Sequence, residues 1–126
     1  MIQFFSFQFS SAHFYNQPAW SKEKNQEVFG ACYDPHGHGH NYRLEVGVIS
    51  QDQEQVNKDA ISGALAPVLK TLDHHHLNFE IEWFKNNVPT TENIALFIAD
   101  KIKSSIPELK VIRLYEAPDL WVELKV

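Results

Sequence analysis

Seven histidines lie in a chain of 126 residues, and all but one of them fall in two short runs. His36, His38 and His40 alternate with glycines in the first run, His74, His75 and His76 are consecutive in the second, and His13 stands alone near the start. In extended backbone, residues two apart point to the same face, so His38 and His40 present two imidazoles side by side. That is metal-ligand spacing. A third nitrogen from a distant segment, for which His13 is available, would complete a tris-histidine site with its fourth position open, the arrangement of catalytic zinc. By spacing alone His36 is as good a ligand as its neighbours, and a run of histidines and glycines also reads as a solvated loop. A single histidine near a strand end, such as His13, is commonly just a hydrogen-bonded side chain.

Four further residues carry chemistry. Cys32, the single cysteine, lies a short loop before His38. A lone cysteine is most often a small buried hydrophobe, but a nearby cation lowers a thiol's pKa and makes the thiolate available as base, nucleophile or ligand. In Asp73-His74 the carboxylate can orient and charge the imidazole for proton transfer, or the two can be a polar helix end. Glu116 shares the register of Ile112 and Leu114, which puts a carboxylate where alternation expects an apolar side chain. A buried carboxylate needs donors, from another subunit or from a ligand with paired N–H groups. Otherwise the strand ends there and Glu116 is solvated.

These groups need elements to position them. Ile2 to Phe9 is Phe-rich and partly alternating, which predicts a strand covered to some extent on both faces. Ser21 to Gly30 opens with a capping serine and closes on a glycine, the signature of a short helix. Tyr42, Leu44, Val46 and Val48 alternate with less apolar residues and predict a half-buried strand. After the polar connection Gln51 to Gln55, the residues Ile61, Leu65, Val68, Leu69 and Leu72 recur at helical spacing. Pro67 within that helix predicts a kink or a restart. A threonine cap in Pro89-Thr90-Thr91-Glu92-Asn93 precedes a second stripe, Ile94, Phe97, Ile98, Ile102 and Ile106. Lys110 to Glu116 and Leu120 to Val126 read as a closing hairpin about Ala117-Pro118-Asp119. The expected fold class is α+β, a four-stranded antiparallel sheet with two long helices on one face, in one domain spanning residues 1–126. Such a sheet leaves its other face and two edges uncovered, and pairing of edges between subunits into a closed barrel would cover them.

Composition narrows the function classes. Hydrophobic residues at 44% and aromatics at 13% supply a core and exclude disorder as the main state. A net charge of −5 with no basic run argues against nucleic acid or an anionic membrane as partner. One cysteine allows no intrachain disulfide, which fits a reducing compartment. Met1 to Phe9 has no basic residue ahead of its apolar ones, unlike a signal peptide, and no run of about 18 apolar residues occurs. The expectation is a cytoplasmic enzyme or binding protein.

Taken together, Phe9-Ser10-Ser11-Ala12-His13, Phe29-Gly30-Ala31-Cys32 followed after five residues by His38-Gly39-His40-Asn41-Tyr42, Leu72-Asp73-His74, Pro89-Thr90-Thr91-Glu92-Asn93 and Tyr115-Glu116 occur in one family's order over nearly the whole chain. The sequence resembles the 6-pyruvoyl tetrahydropterin synthase and 6-carboxytetrahydropterin synthase group, which has the tunnelling fold, or T-fold. The resemblance implies that His13, His38 and His40 bind zinc, with His36 a loop residue. It implies Cys32 as the catalytic thiol, Asp73 and His74 as a second proton-handling pair brought from a neighbouring subunit, and Glu116 as the pterin anchor, with Thr90, Thr91 and Glu92 lining the same pocket. It further implies a homohexamer, a dimer of trimers whose sheets close a barrel, and 7,8-dihydroneopterin triphosphate as substrate. Zinc acting as Lewis acid would acidify the side-chain proton that the Cys32 thiolate removes while triphosphate leaves.

Two products remain open. The five-residue gap after Cys32 and the Thr90-Thr91-Glu92-Asn93 string look like the pyruvoyl branch, whereas Asp73-His74-His75 followed by His76-Leu77-Asn78 looks like the carboxy branch of queuosine synthesis, which sheds a two-carbon fragment. The Gln51 to Gln55 connection departs from the family's glycine-containing hairpin, and the net charge of −5 sits awkwardly with a triphosphate. A non-catalytic zinc-binding oligomer would explain the histidines but not Cys32, Asp73-His74 and Glu116 together.

Overall fold

The computed structural model describes residues 1–50 and 56–126. The Gln51 to Gln55 connection, where the sequence departs from the family's hairpin, lies outside the described residues. The described chain runs β1 (Ile2–His13), α1 (Lys22–Phe29), a 3-10 turn (Gly30–Tyr33), β2 (His38–Ile49), α2 (Lys58–Leu72), β3 (His75–His76), α3 (Leu77–Glu80), a second 3-10 turn (Glu82–Lys85), α4 (Thr91–Ile102), β4 (Leu109–Ala117) and β5 (Leu120–Lys125).

The sheet has the order β3-β1-β2-β4-β5, antiparallel except where β3 pairs parallel with Ser11 and Ala12 of β1. The four long strands are those the alternation predicts. The fifth strand is an addition, two residues whose place is set by contacts with β1 rather than by any local period. β1 and β2 also reach further toward the site than their apolar patterns suggest. They pair without interruption from Ile2↔Ile49 to His13↔His38, because backbone hydrogen bonds hold Ser10 to His13 and His38 to Asn41 in the ladder without apolar alternation.

Burial follows the period of each element. Tyr42, Leu44, Val46 and Val48 of β2 and Ile112 and Leu114 of β4 turn inward, where α2 contributes Ile61, Leu65, Val68 and Leu72 and α4 contributes Ile94, Phe97, Ile98 and Ile102. These form one continuous core, with each fully buried aliphatic side chain worth roughly 1.5–3 kcal/mol. Pro67 does not restart the helix, since α2 is a single element from Lys58 to Leu72. The carbonyl deprived of its donor belongs to Gly63, which is exposed like Pro67, and the inward residues on both sides of Pro67 share the same core.

The opposite sheet face carries Phe4, Glu45, Arg43, Arg113, Tyr115 and Trp121. Arg113 lies over the Phe4 ring at 4.4 Å, Arg43 over Tyr115 at 4.1 Å, and Tyr115 stacks on Trp121 at 5.2 Å. Gly47 is required there, because a Cβ would meet Val111 Cγ1 at 2.5 Å and Phe4 Cε1 at 2.8 Å.

Candidate active site

At the end of the β1–β2 ladder, His13 and His38 face each other across the strands, and His40 follows two residues on along β2. His13 is fully buried and its Nε2 lies 3.0 Å from His38 Nε2. Glu116, near the end of β4 and only 8% exposed, brings Oε1 to 2.7 Å from His40 Nε2 and 3.6 Å from His13 Nε2. Its Oε2 accepts from the Thr91 hydroxyl at 3.2 Å, at the start of α4. One ligand atom from each of His13, His38, His40 and Glu116 lies within 4.8 Å of the others.

Burial, then the neighbouring His38 and His40, depress His13 from 6.5 to about 3, and burial also lowers His40 against the opposing pull of Glu116. Both rings are thereby biased toward neutral imidazole, the form that binds a metal. Tyr42, whose own phenol burial pushes upward, places its hydroxyl 3.3 Å from His13 Nδ1, and the Pro89 carbonyl accepts from the same ring. A proton on Nδ1 leaves the His13 Nε2 lone pair facing a second imidazole nitrogen and a carboxylate. Acceptors so convergent fit a cation between them. The edge of a tetrahedron of nitrogens bound at about 2.0–2.1 Å is near the observed nitrogen spacing. Tyr42 and Pro89 would then orient His13 from behind.

The structure separates the three histidines that spacing could not. His38 and His40 are in the strand and in the cluster, whereas His36 is exposed, belongs to the turn before it, and bonds through its amide to Asp34 Oδ1 at 3.0 Å. Gly37, at φ +75°, makes that turn possible: a Cβ would sit 2.8 Å from both the His13 carbonyl and His76 Nε2.

Cys32 occupies the 3-10 turn after α1, half-buried and outside the set of converging ligand atoms. Its carbonyl accepts from the Tyr15 amide at 2.7 Å. Asp73 and His74 are also outside that set. Asp73 Oδ1 accepts from the Ser10 amide at 2.8 Å, the His74 amide donates to the Ser10 carbonyl at 2.6 Å, and Asp73 Oδ2 lies 2.9 Å from His74 Nδ1. The Ser10 amide first, and His74 second, hold the Asp73 carboxyl below its usual range. His74 adopts a left-handed φ of 60°, costly for a residue with a Cβ, and its imidazole is 82% exposed. Of the α4 residues, Thr91 touches Glu116, Thr90 is committed to capping the helix through Asn93 N at 3.2 Å, and Glu92 is exposed.

Two further residues shape the site: Tyr15, which carried no local signal, and Asn78, noted in the sequence only as part of the His76-Leu77-Asn78 string. Tyr15 packs its ring on His13 at 5.2 Å and on Phe29 at 5.5 Å, and burial, with the charges of Glu116, Cys32 and Glu92, pushes its phenol up to about 12. Asn78 is buried and clamps Phe14 through both backbone groups, at 2.9 Å to N and 2.8 Å to O. The Leu77-Asn78 pair thus has a structural task whichever reaction the site performs.

Fold and site together define an α+β protein with a three-histidine cluster and a buried carboxylate at one end of its central strands. The family model described as 6-pyruvoyl tetrahydropterin synthase matches residues 3–126. The chain belongs to the 6-pyruvoyl tetrahydropterin synthase family, and by that membership it is a lyase. It is 39% identical over 118 residues to the 6-pyruvoyl tetrahydrobiopterin synthase of Drosophila melanogaster, covering 87% of this chain and 70% of that one. It is 31% identical over 124 residues to the human protein of that name, covering 93% and 86%. The solved 6-pyruvoyl tetrahydropterin synthase of Caenorhabditis elegans superposes with a TM-score of 0.92 at 28% identity, over 100% of this chain and 95% of that one. Among the described residues no helix is long and apolar enough to cross a membrane.

Proposed function

We propose that the protein is a zinc-dependent 6-pyruvoyl tetrahydropterin synthase, eliminating triphosphate from 7,8-dihydroneopterin triphosphate. The observation that carries this reading is the buried Glu116 carboxylate beside three converging imidazoles, an acceptor and a metal-ready donor set at one place. His13, His38 and His40 hold zinc, which supplies Lewis acidity toward the substrate's side-chain hydroxyls. Glu116 anchors the amino and ring N–H groups of the pterin, steadied by the Thr91 hydroxyl, and Thr90 and Glu92 border the same pocket. The Cys32 thiolate takes the proton from the side-chain carbon, the electron pair left behind expels triphosphate, and internal redox rearrangement gives the pyruvoyl product.

Asp73 and His74 form the second proton-handling pair. Their outward imidazole supports a role at a neighbouring subunit's site, and the helix-free face with the β3 and β5 edges supports assembly into the barrel of a homohexamer. The test is incubation of metal-loaded protein with 7,8-dihydroneopterin triphosphate and identification of the product by mass. The pyruvoyl product supports the reading. A 6-carboxy product assigns the chain to the queuosine branch, and unchanged substrate leaves a zinc-binding oligomer.

A further inference from the structure

Tyr15 is held with unusual care for a residue in a connecting segment. On its amino-terminal side, Phe14 is clamped through N and O by the buried Asn78 side chain. On its carboxyl-terminal side, Gln17 is clamped the same way by Asn25, which is 1% exposed. Asn25 Oδ1 accepts from Gln17 N at 2.7 Å, and its Nδ2 donates to Gln17 O at 3.1 Å and Ser21 O at 3.0 Å. Two buried asparagines, one from α3 and one from α1, thus fix the backbone on both sides of Tyr15. Such amides are costly to bury unless satisfied, and here each spends one acceptor and one donor bond on this segment.

What the segment delivers is a bridge. The Tyr15 amide donates to the Cys32 carbonyl at 2.7 Å, and the ring stands between the His13 imidazole and Phe29, the residue from which the Cys32 turn departs. Neither Cys32 nor its 3-10 turn contains a buried residue of its own, so little else in the turn anchors it to the core. We propose that Tyr15 is the positioning residue for Cys32: its ring and amide, fixed by Asn78 and Asn25, set the thiol against the histidine cluster.

The inference rests on the reading of Cys32 as a functional thiol, and its test does not depend on turnover. Alkylation of Cys32 by iodoacetamide should be timed at one pH in zinc-loaded wild type, Tyr15→Ala and Tyr15→Phe, alongside zinc content and melting temperature. Removing the ring should raise the alkylation rate about tenfold as the half-buried turn loosens, with zinc retained, while Tyr15→Phe, which keeps ring and amide, returns the rate to near wild type. Where the substrate is turned over, the same loss should lower kcat about a hundredfold with KM little changed, the scale expected for misplacing a reacting group by about 1 Å. If Tyr15→Ala does not fold, Tyr15→Leu preserves apolar bulk and takes its place. An alkylation rate unchanged in the ring-deleted variant would overturn the inference, as would a Tyr15→Phe variant no better than Tyr15→Ala, since the hydroxyl and not the ring would then matter. Failure of substrate turnover with the alkylation pattern intact would instead count against the proposed reaction alone.

Discussion

His40 Nε2 and Glu116 Oε1 lie 2.7 Å apart at the meeting of β2 and β4, yet the imidazole nitrogen makes no hydrogen bond of acceptable geometry. Burial lowers the His40 pKa while Glu116 raises it, so the carboxylate offsets part of what burial costs the protonated imidazole. A cation held by the three histidines would give that nitrogen a partner and leave the carboxylate for a second ligand.

The first prediction concerns which nitrogens hold the metal. Alanine at His13, His38 or His40 should empty the site, and His36→Ala should leave one zinc per subunit, measured by metal analysis after dialysis. Loss of metal in His36→Ala with retention in His38→Ala would reverse the assignment. The pH dependence has a sign. Histidines depressed below 6.5 stay neutral to lower pH, so His13 and His40 should not release metal at neutral pH, and affinity should fall as acidification protonates the ligands. In the metal-free protein, His13 binds its proton more readily when unfolded, so melting temperature should drop as pH falls from 6.5 toward about 3 and be insensitive to this group above 6.5.

Glu116 should recognise the pterin rather than hold the fold. Glu116→Gln keeps volume but replaces a charged acceptor with a half-donor, and lost charge-assisted hydrogen bonds should weaken pterin binding by roughly 1.5–3 kcal/mol. Pterin affinity, zinc content and melting temperature belong in one experiment. Zinc lost with the carboxylate would make Glu116 a metal ligand, and a large fall in melting temperature at unchanged affinity would make it structural.

How these residues came to be visible differs from one to the next. Tyr42, Leu44, Val46 and Val48, and the stripes of α2 and α4, were legible because burial imposes a period on sequence. Glu116 was legible for the same reason, as a carboxylate breaking an apolar register. The choice of His38 over His36 was not, since it depends on where β2 begins, and His38 joins the strand by pairing with His13 on a distant segment. Likewise β3 exists through contacts of the 73–76 segment with Ser10 to Ala12, which leave no local trace. Tyr15 carried no signal at all, because its importance lies in Asn25 and Asn78, residues whose side-chain bonds run across the fold.

Sharing of the site between subunits is testable by mixing. Cys32→Ala and His74→Ala proteins should each be inactive. Co-assembled, they should recover measurable activity if His74 of one subunit serves the site of another, because some sites then combine an intact thiol with an intact imidazole. No recovery in verified mixed oligomers would place the whole reaction within one chain, and would leave the strained, exposed His74 without a neighbour to serve.

The sharpest prediction concerns Cys32, because three readings of it diverge. A thiolate acting as proton acceptor should be dispensable for zinc and for assembly, so Cys32→Ala should keep both while triphosphate release falls about a hundredfold or more. A thiolate acting as a ligand should take zinc with it when removed, although the thiol lies outside the converging His13, His38, His40 and Glu116 atoms. Simple packing predicts a modest loss of stability with activity preserved, and the half-buried position of Cys32 limits even that. Alkylation adds an independent line: the rate at one pH should slow when zinc is removed, if the bound cation stabilises the thiolate. Zinc content, oligomeric state, triphosphate release and the alkylation profile of the same preparation therefore distinguish the three. A Cys32→Ala protein that turns over substrate at the wild-type rate would remove the thiol from the reaction and leave Asp73 and His74 as the groups that must carry the proton.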